Sequence, residues 1–129
     1  MSKRKKEKAI VLSELEKVLL TLLYSHTLYG LEFVSAIKEA SGGDRELGFG
    51  SLYPTLARME KKGLVIWSWG DEQSGPRRKY YDITPYGKSV LEKDWRFHKN
   101  LKQYQIKPEK TSSQPEETVE SATLTKVES

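Results

Sequence analysis

The run Phe49-Gly-Ser-Leu-Tyr-Pro-Thr-Leu-Ala-Arg-Met-Glu-Lys-Lys-Gly-Leu-Val65 constrains this chain more than any other stretch. Gly50 frees the backbone to turn, and the Ser51 hydroxyl can accept a hydrogen bond from the open N–H groups of a following helix. Pro54 falls in the first turn, where a missing donor costs nothing. Leu52, Leu56 and Met59, at i, i+4 and i+7, make one apolar face. Gly63 can end the helix in a left-handed conformation, and Leu64 and Val65 begin an extended run. The pattern predicts a helix over about 51–62 whose other face shows Ser51, Tyr53, Thr55, Arg58 and Lys62. Such a front suits a groove of duplex DNA. It suits a solvated surface equally well, so the surroundings decide.

The surroundings are helical on the N-terminal side. Ser13-Glu14-Leu15-Glu16 reads as a capping box, and Leu15, Val18, Leu19, Leu22 and Leu23 follow as the core stripe of a helix over about 14–25. After the break Ser25-His26-Thr27, a second helix covers about Tyr29 to Ala40, with Phe33, Val34, Ile37 and Ala40 inward. Ser41-Gly42-Gly43 ends it. Three short helices, the last with a polar front, form a helix-turn-helix pattern.

Downstream, Leu64 to Trp69 is β-branched and aromatic and reads as a strand; Arg77 to Ile83 reads as its partner across a turn-rich connector. A hairpin here, with Arg77, Arg78 and Lys79 just past its tip, is a wing. Alternation puts Arg78 on the opposite face from Arg77 and Lys79, and sets Trp67 and Trp69 together over the wing's base. Thr84 and Pro85 supply a cap and a first helical residue. The fourth helix then runs to about Tyr104. Its large apolar residues Val90, Leu91, Trp95, Phe97, Leu101 and Tyr104 exceed what one small domain can bury. A partner helix in a homodimer is the economical explanation.

Charge and composition set the limits. Residues 1–8 carry Lys3, Arg4, Lys5, Lys6 and Lys8 against Glu7, whereas 108–129 carry two lysines against five glutamates. The net +4 therefore lies on the body and its basic arm, an arrangement suited to a polyanion, or merely to solubility. Absence of cysteine excludes disulfides and thiolate metal sites and is compatible with a reducing cytoplasm. No apolar run approaches the ~20 residues that span a bilayer, so no membrane partner is expected. His26 and His98 stand in different elements without a metal-ligand pattern, and no Walker loop, dinucleotide fingerprint or nucleophile elbow is present. Neither an enzyme nor a cofactor is expected. The domain reading is a disordered basic arm over 1–8, a DNA-binding domain over 9–84, a dimerisation helix over 85–106 and a disordered acidic tail over 107–129.

Taken in order, Leu28-Tyr29-Gly30, Gly50-Ser-Leu-Tyr-Pro-Thr-Leu56, Met59-Glu-Lys-Lys-Gly-Leu-Val65 and Arg78-Lys-Tyr-Tyr-Asp-Ile-Thr-Pro-Tyr-Gly87 resemble the PadR family of bacterial transcriptional regulators. The match covers about residues 10–105. It implies an α+β winged helix-turn-helix with a C-terminal dimerisation helix, binding operator DNA and often repressing. The single long C-terminal helix corresponds to the family's short class; the acidic, proline-containing tail lies outside the family pattern.

On that resemblance the recognition helix brings Ser51, Tyr53, Thr55 and Arg58 to the major groove of an inverted repeat, and Tyr53 has an equal claim to packing on helix two. Arg77, Arg78 and Lys79 of the wing meet the backbone, and Lys3, Arg4, Lys5 and Lys6 form an arm that reaches a groove or simply solubilises. In some relatives an aromatic at the position of Trp95 faces a cavity where flat aromatic effectors stack; packing in the dimer core is the plainer role for Trp95. The other function class is a winged-helix protein-interaction module, which would more often show apolar residues than Ser, Thr and Arg on helix three.

Overall fold

The computed structural model describes residues 10–107; the basic arm with Lys3, Arg4, Lys5 and Lys6, and the tail from residue 108, lie outside the described residues. The elements run α1 (Glu14–Ser25), α2 (Gly30–Ala40), α3 (Phe49–Lys61), β1 (Val65–Trp69), β2 (Lys79–Ile83) and α4 (Pro85–Gln103). The chain divides into a compact unit ending at Lys99 and a second beginning at Asn100. Among the described residues, no helix is long and apolar enough to cross a membrane.

α1 starts at the expected capping box. The Ser13 hydroxyl accepts from the Glu16 N–H at 3.1 Å, and the Glu16 carboxylate accepts from the Ser13 N–H at 2.9 Å. The buried stripe is rotated from the expected one: Leu19, Leu20 and Leu23 are in the core, while Leu15, Val18 and Leu22 are half-buried beside it. Glu16 is buried as well and reaches Lys62 at 2.9 Å, tying α1 to the end of α3. Lys62 therefore belongs to this pair and not to the polar front of α3.

α2 buries Phe33 and Ile37, whereas Ala40 is exposed, contrary to expectation, because the helix ends there. Gly42 and Gly43, both at positive φ, turn the chain away. The segment before α2 does more than break the helices. Leu28 pairs with Tyr81, N–H to carbonyl both ways at 3.2 and 2.7 Å, adding a third short edge to the hairpin.

α3 begins at Phe49, two residues before the expected start, with Gly48 in the cap position. The Ser51 and Leu52 N–H groups donate to the Gly48 carbonyl, so Ser51 lies inside the first turn and is not the cap. Pro54 is consequently an interior helix residue, and its missing donor leaves the Gly50 carbonyl without its i+4 partner. The far end behaves as read. Gly63 sits at φ 80°, its N–H donates to Glu60 and the Leu64 N–H donates to Met59.

β1 and β2 are antiparallel, with Val65 opposite Ile83 and Trp69 opposite Lys79. Arg77 and Arg78 precede β2 instead of opening it. Thr84 then caps α4, its hydroxyl accepting from the Gly87 N–H at 2.8 Å while donating to the Gly63 carbonyl at 2.6 Å. Gly87 is required there, since a Cβ would run into the Leu64 carbonyl. The core thus gathers α1, the inner faces of α2 and α3, the hairpin base and the start of α4.

Candidate nucleic-acid interface

The back of α3 is closed: Leu52, Leu56 and Met59 are completely buried. On the outer side Ser51, Tyr53 and Arg58 are exposed. Thr55 is not with them. Only 3% exposed, it lies three residues after Leu52 and four before Met59, which is the apolar stripe itself. Its hydroxyl donates to the Ser51 carbonyl at 2.8 Å and accepts from Arg58 Nη2 at 3.1 Å. Thr55 therefore anchors the Arg58 guanidinium from below.

Tyr53 packs on α2 and still leaves part of its ring exposed. Its ring lies against the first residue of α2, at Gly30, and it remains 44% exposed. Phe49, the first helical residue, stacks on it at 5.8 Å between ring centroids. Phe49 was not among the expected interface residues, because a helix read as starting near Ser51 leaves it in the connector.

The wing is internally braced. The Gly70 N–H donates to the Arg78 carbonyl at 2.7 Å. The Glu72 carboxylate accepts from the Tyr80 hydroxyl at 2.8 Å and from the Arg78 N–H at 3.3 Å, and lies 3.9 Å from the Arg78 guanidinium. The Tyr80 hydroxyl first, with the Arg78 charge adding to it, holds the Glu72 carboxyl below its ordinary value; the carboxylate in turn pushes the Tyr80 phenol up. The three cations divide as alternation predicts. Arg77 lies over Trp69 at 5.3 Å and Lys79 over Trp67 at 4.1 Å, whereas Arg78 lies over Tyr29 at 4.5 Å. Trp67 and Trp69 meet edge to face at 5.3 Å.

Between α3 and the wing runs an open cleft of 590 Å³, bounded by Tyr29, Gly30, Tyr53, Ala57, Glu60 and Trp69 together with Arg77, Arg78 and Lys79. Tyr53, Ala57 and Glu60 of α3 and the three wing cations thus face one concavity.

The residues read as a dimer seam divide. Leu91 is completely buried in the core of its own chain, so it cannot face a partner. Val90 is half-buried against the same core. Trp95 rests on Tyr24, ring centroids 5.0 Å apart, with part of its surface free. Phe97, Leu101 and Tyr104 are each more than half exposed. Among the described residues no three His, Cys, Asp or Glu side chains group as metal ligands. His26 Nδ1 sits 3.0 Å from the Leu22 carbonyl and His98 Nδ1 2.9 Å from that of Asp94, one helical turn back in each case.

The arrangement has clear relatives. An uncharacterised protein of Lysinibacillus sphaericus is 32% identical over 89 residues, covering 67% of this chain and 82% of the relative. A PadR family transcription regulator from Clostridium difficile R20291 superposes with a TM-score of 0.57 at 34% identity, over 70% of this chain and 96% of that one. Bacillus subtilis PadR, solved in complex with operator DNA, gives a TM-score of 0.60 at 25% identity, over 81% of this chain and 55% of that one. The sequence pattern of the Transcriptional regulator PadR-like family matches residues 19–93, from the α1 core stripe through the first half of α4. Its members are regulators and not enzymes, in agreement with the absence of any catalytic motif in the sequence. On the family pattern and the winged-helix architecture together, this chain belongs to the PadR-like family of transcriptional regulators.

Proposed function

We propose that the protein binds DNA as a homodimer and represses transcription from an inverted-repeat operator, acting in the cytoplasm. α3 enters the major groove, and the wing lies along the backbone. The observation that carries this reading is the division of α3. Its back is fully buried, while Ser51, Tyr53 and Arg58 are exposed, and Tyr53 lines one cleft with the cations of the wing. A hydroxyl, a phenol and a guanidinium can all bond to base edges or phosphates. The operator complex of Bacillus subtilis PadR supports the same assignment.

Selection of bound duplexes from a random library tests the reading. One sequence class with two inverted half-sites about one helical turn apart, or a multiple of it, is expected. Arg58→Ala should weaken binding by roughly 1–3 kcal/mol per half-site and relax preference at one symmetric pair of positions. Loss of affinity across all sequences with preference intact would assign Arg58 to phosphate. Undiminished operator affinity in both Arg58→Ala and Thr55→Ala, with the variants folded and dimeric, sinks the proposal.

A further inference from the structure

We propose that Phe49 reads a thymine methyl group in each half-site, an inference that rests on α3 being the helix that enters the groove. Phe49 is the first residue of α3 and is 47% exposed, whereas Leu52, Leu56 and Met59 of the same helix are completely buried. Its ring lies nearly parallel to that of Tyr53, 17° between planes. Tyr53 is in turn held by the bare backbone of Gly30. The two rings form a fixed apolar plate at the end of the helix that a recognition helix presents to base edges.

Phe49 is flanked by Gly48 and Gly50, and neither has a positive φ. A Cβ at Gly50 would meet nothing within 4 Å, so the fold itself does not demand glycine there. Bare backbone on both sides of an exposed aromatic ring gives clearance for close approach by something else. A phenyl ring neither donates nor accepts an ordinary hydrogen bond, so it cannot read the polar pattern of the major groove. The apolar feature in that groove is the C5-methyl of thymine. The wing cations Arg77, Arg78 and Lys79, which line one cleft with Tyr53, mark this side of the molecule as suited to nucleic acid.

The test uses the full chain and the operator recovered by random-duplex selection. Each thymine of a half-site is replaced in turn by deoxyuridine, which removes only the methyl group. At one symmetric pair of positions the wild type should lose about fourfold per half-site, the worth of one methyl-sized group taken from water. Phe49→Ala should bind the thymine and uracil duplexes equally, and Phe49→Leu should retain part of the difference. Unchanged thermal midpoints in both variants separate this effect from misfolding. If no deoxyuridine position weakens the wild type, or if the loss persists undiminished in Phe49→Ala, the inference is overturned. If the wild type selects no sequence at all, the reading of α3 as a recognition helix falls, and this inference falls with it.

Discussion

Gly30 and Tyr53 are fitted to one another: a Cβ at residue 30 would lie 2.8 Å from Tyr53 Cζ and closer still to its hydroxyl. The first residue of α2 and the tyrosine of α3 are thus one packing unit. It fixes how far the outer side of α3 stands from the N-terminus of α2.

Gly30→Ala should therefore displace the Tyr53 ring and cost about 1–3 kcal/mol, as other overpacked contacts do. In a Tyr53→Ala background the same substitution should cost almost nothing. A double-mutant cycle by denaturant unfolding reads the difference directly. Equal costs in the two backgrounds would mean that Gly30 serves the backbone of α2 and not the ring.

Glu16 offers a pH-dependent probe of the contact between α1 and α3. Burial pushes its carboxyl up. The Lys62 ammonium, the Ser13 N–H and the Ser13 hydroxyl together outweigh burial and hold it below the usual carboxylate value. A carboxyl depressed in the folded state contributes stability above its unfolded pKa and loses it as pH falls through the folded value. Lys62→Met should lower stability near neutral pH by about 1–2 kcal/mol. It should also narrow the difference between neutral and acid unfolding midpoints. The same pH dependence in wild type and variant would remove Lys62 from the account.

Features specified by neighbouring residues were legible in the sequence. The Ser13–Glu16 box, the left-handed Gly63, the hairpin and the Thr84–Pro85 start of α4 each depend on a few adjacent side chains. Thr55 was misplaced although the signal was present, since a period of 3.6 puts it between Leu52 and Met59 on the buried stripe. The start of α3 was ambiguous because Gly48, Gly50 and Ser51 can all precede a helix, and only the hydrogen bonds to the Gly48 carbonyl decide. What was not legible is long-range. The pairing of Leu28 with Tyr81 and the burial of Leu91 in its own core depend on chain segments that meet only after folding.

For the wing, Arg77 and Lys79 share one face and lie over the paired tryptophans, so neither is spent on a carboxylate in the described structure. Arg78 is partly engaged by Glu72. Replacing Arg77 and Lys79 by alanine should weaken binding to all duplexes alike. It should also flatten the dependence of log K on log salt by about one to two ion-release units. Titrations at several ionic strengths, with the operator and with a scrambled duplex, measure both effects. A changed sequence preference with an unchanged slope would place these cations on bases.

The last prediction concerns oligomerisation through α4. With Leu91 absorbed by the core of its own chain, the residues left for a partner are Trp95, Phe97, Leu101 and Tyr104. Phe97 and Leu101 are each more than half exposed, which a lone soluble helix would not favour at two large apolar positions four residues apart. The proposed homodimer would cover them with a second copy, and two copies would present two α3 helices to successive turns of a duplex. Replacing Phe97 and Leu101 together by Asp should give monomers in sedimentation velocity at micromolar concentration. The variant should keep its fold, because neither side chain enters the core. Operator affinity should fall to the level of one half-site, since the second α3 is no longer carried along. Leu91→Asp, in contrast, should unfold the chain outright. A wild type that sediments as a monomer at that concentration would rule out α4 as the interface, and Phe97 and Leu101 would then need another occupant.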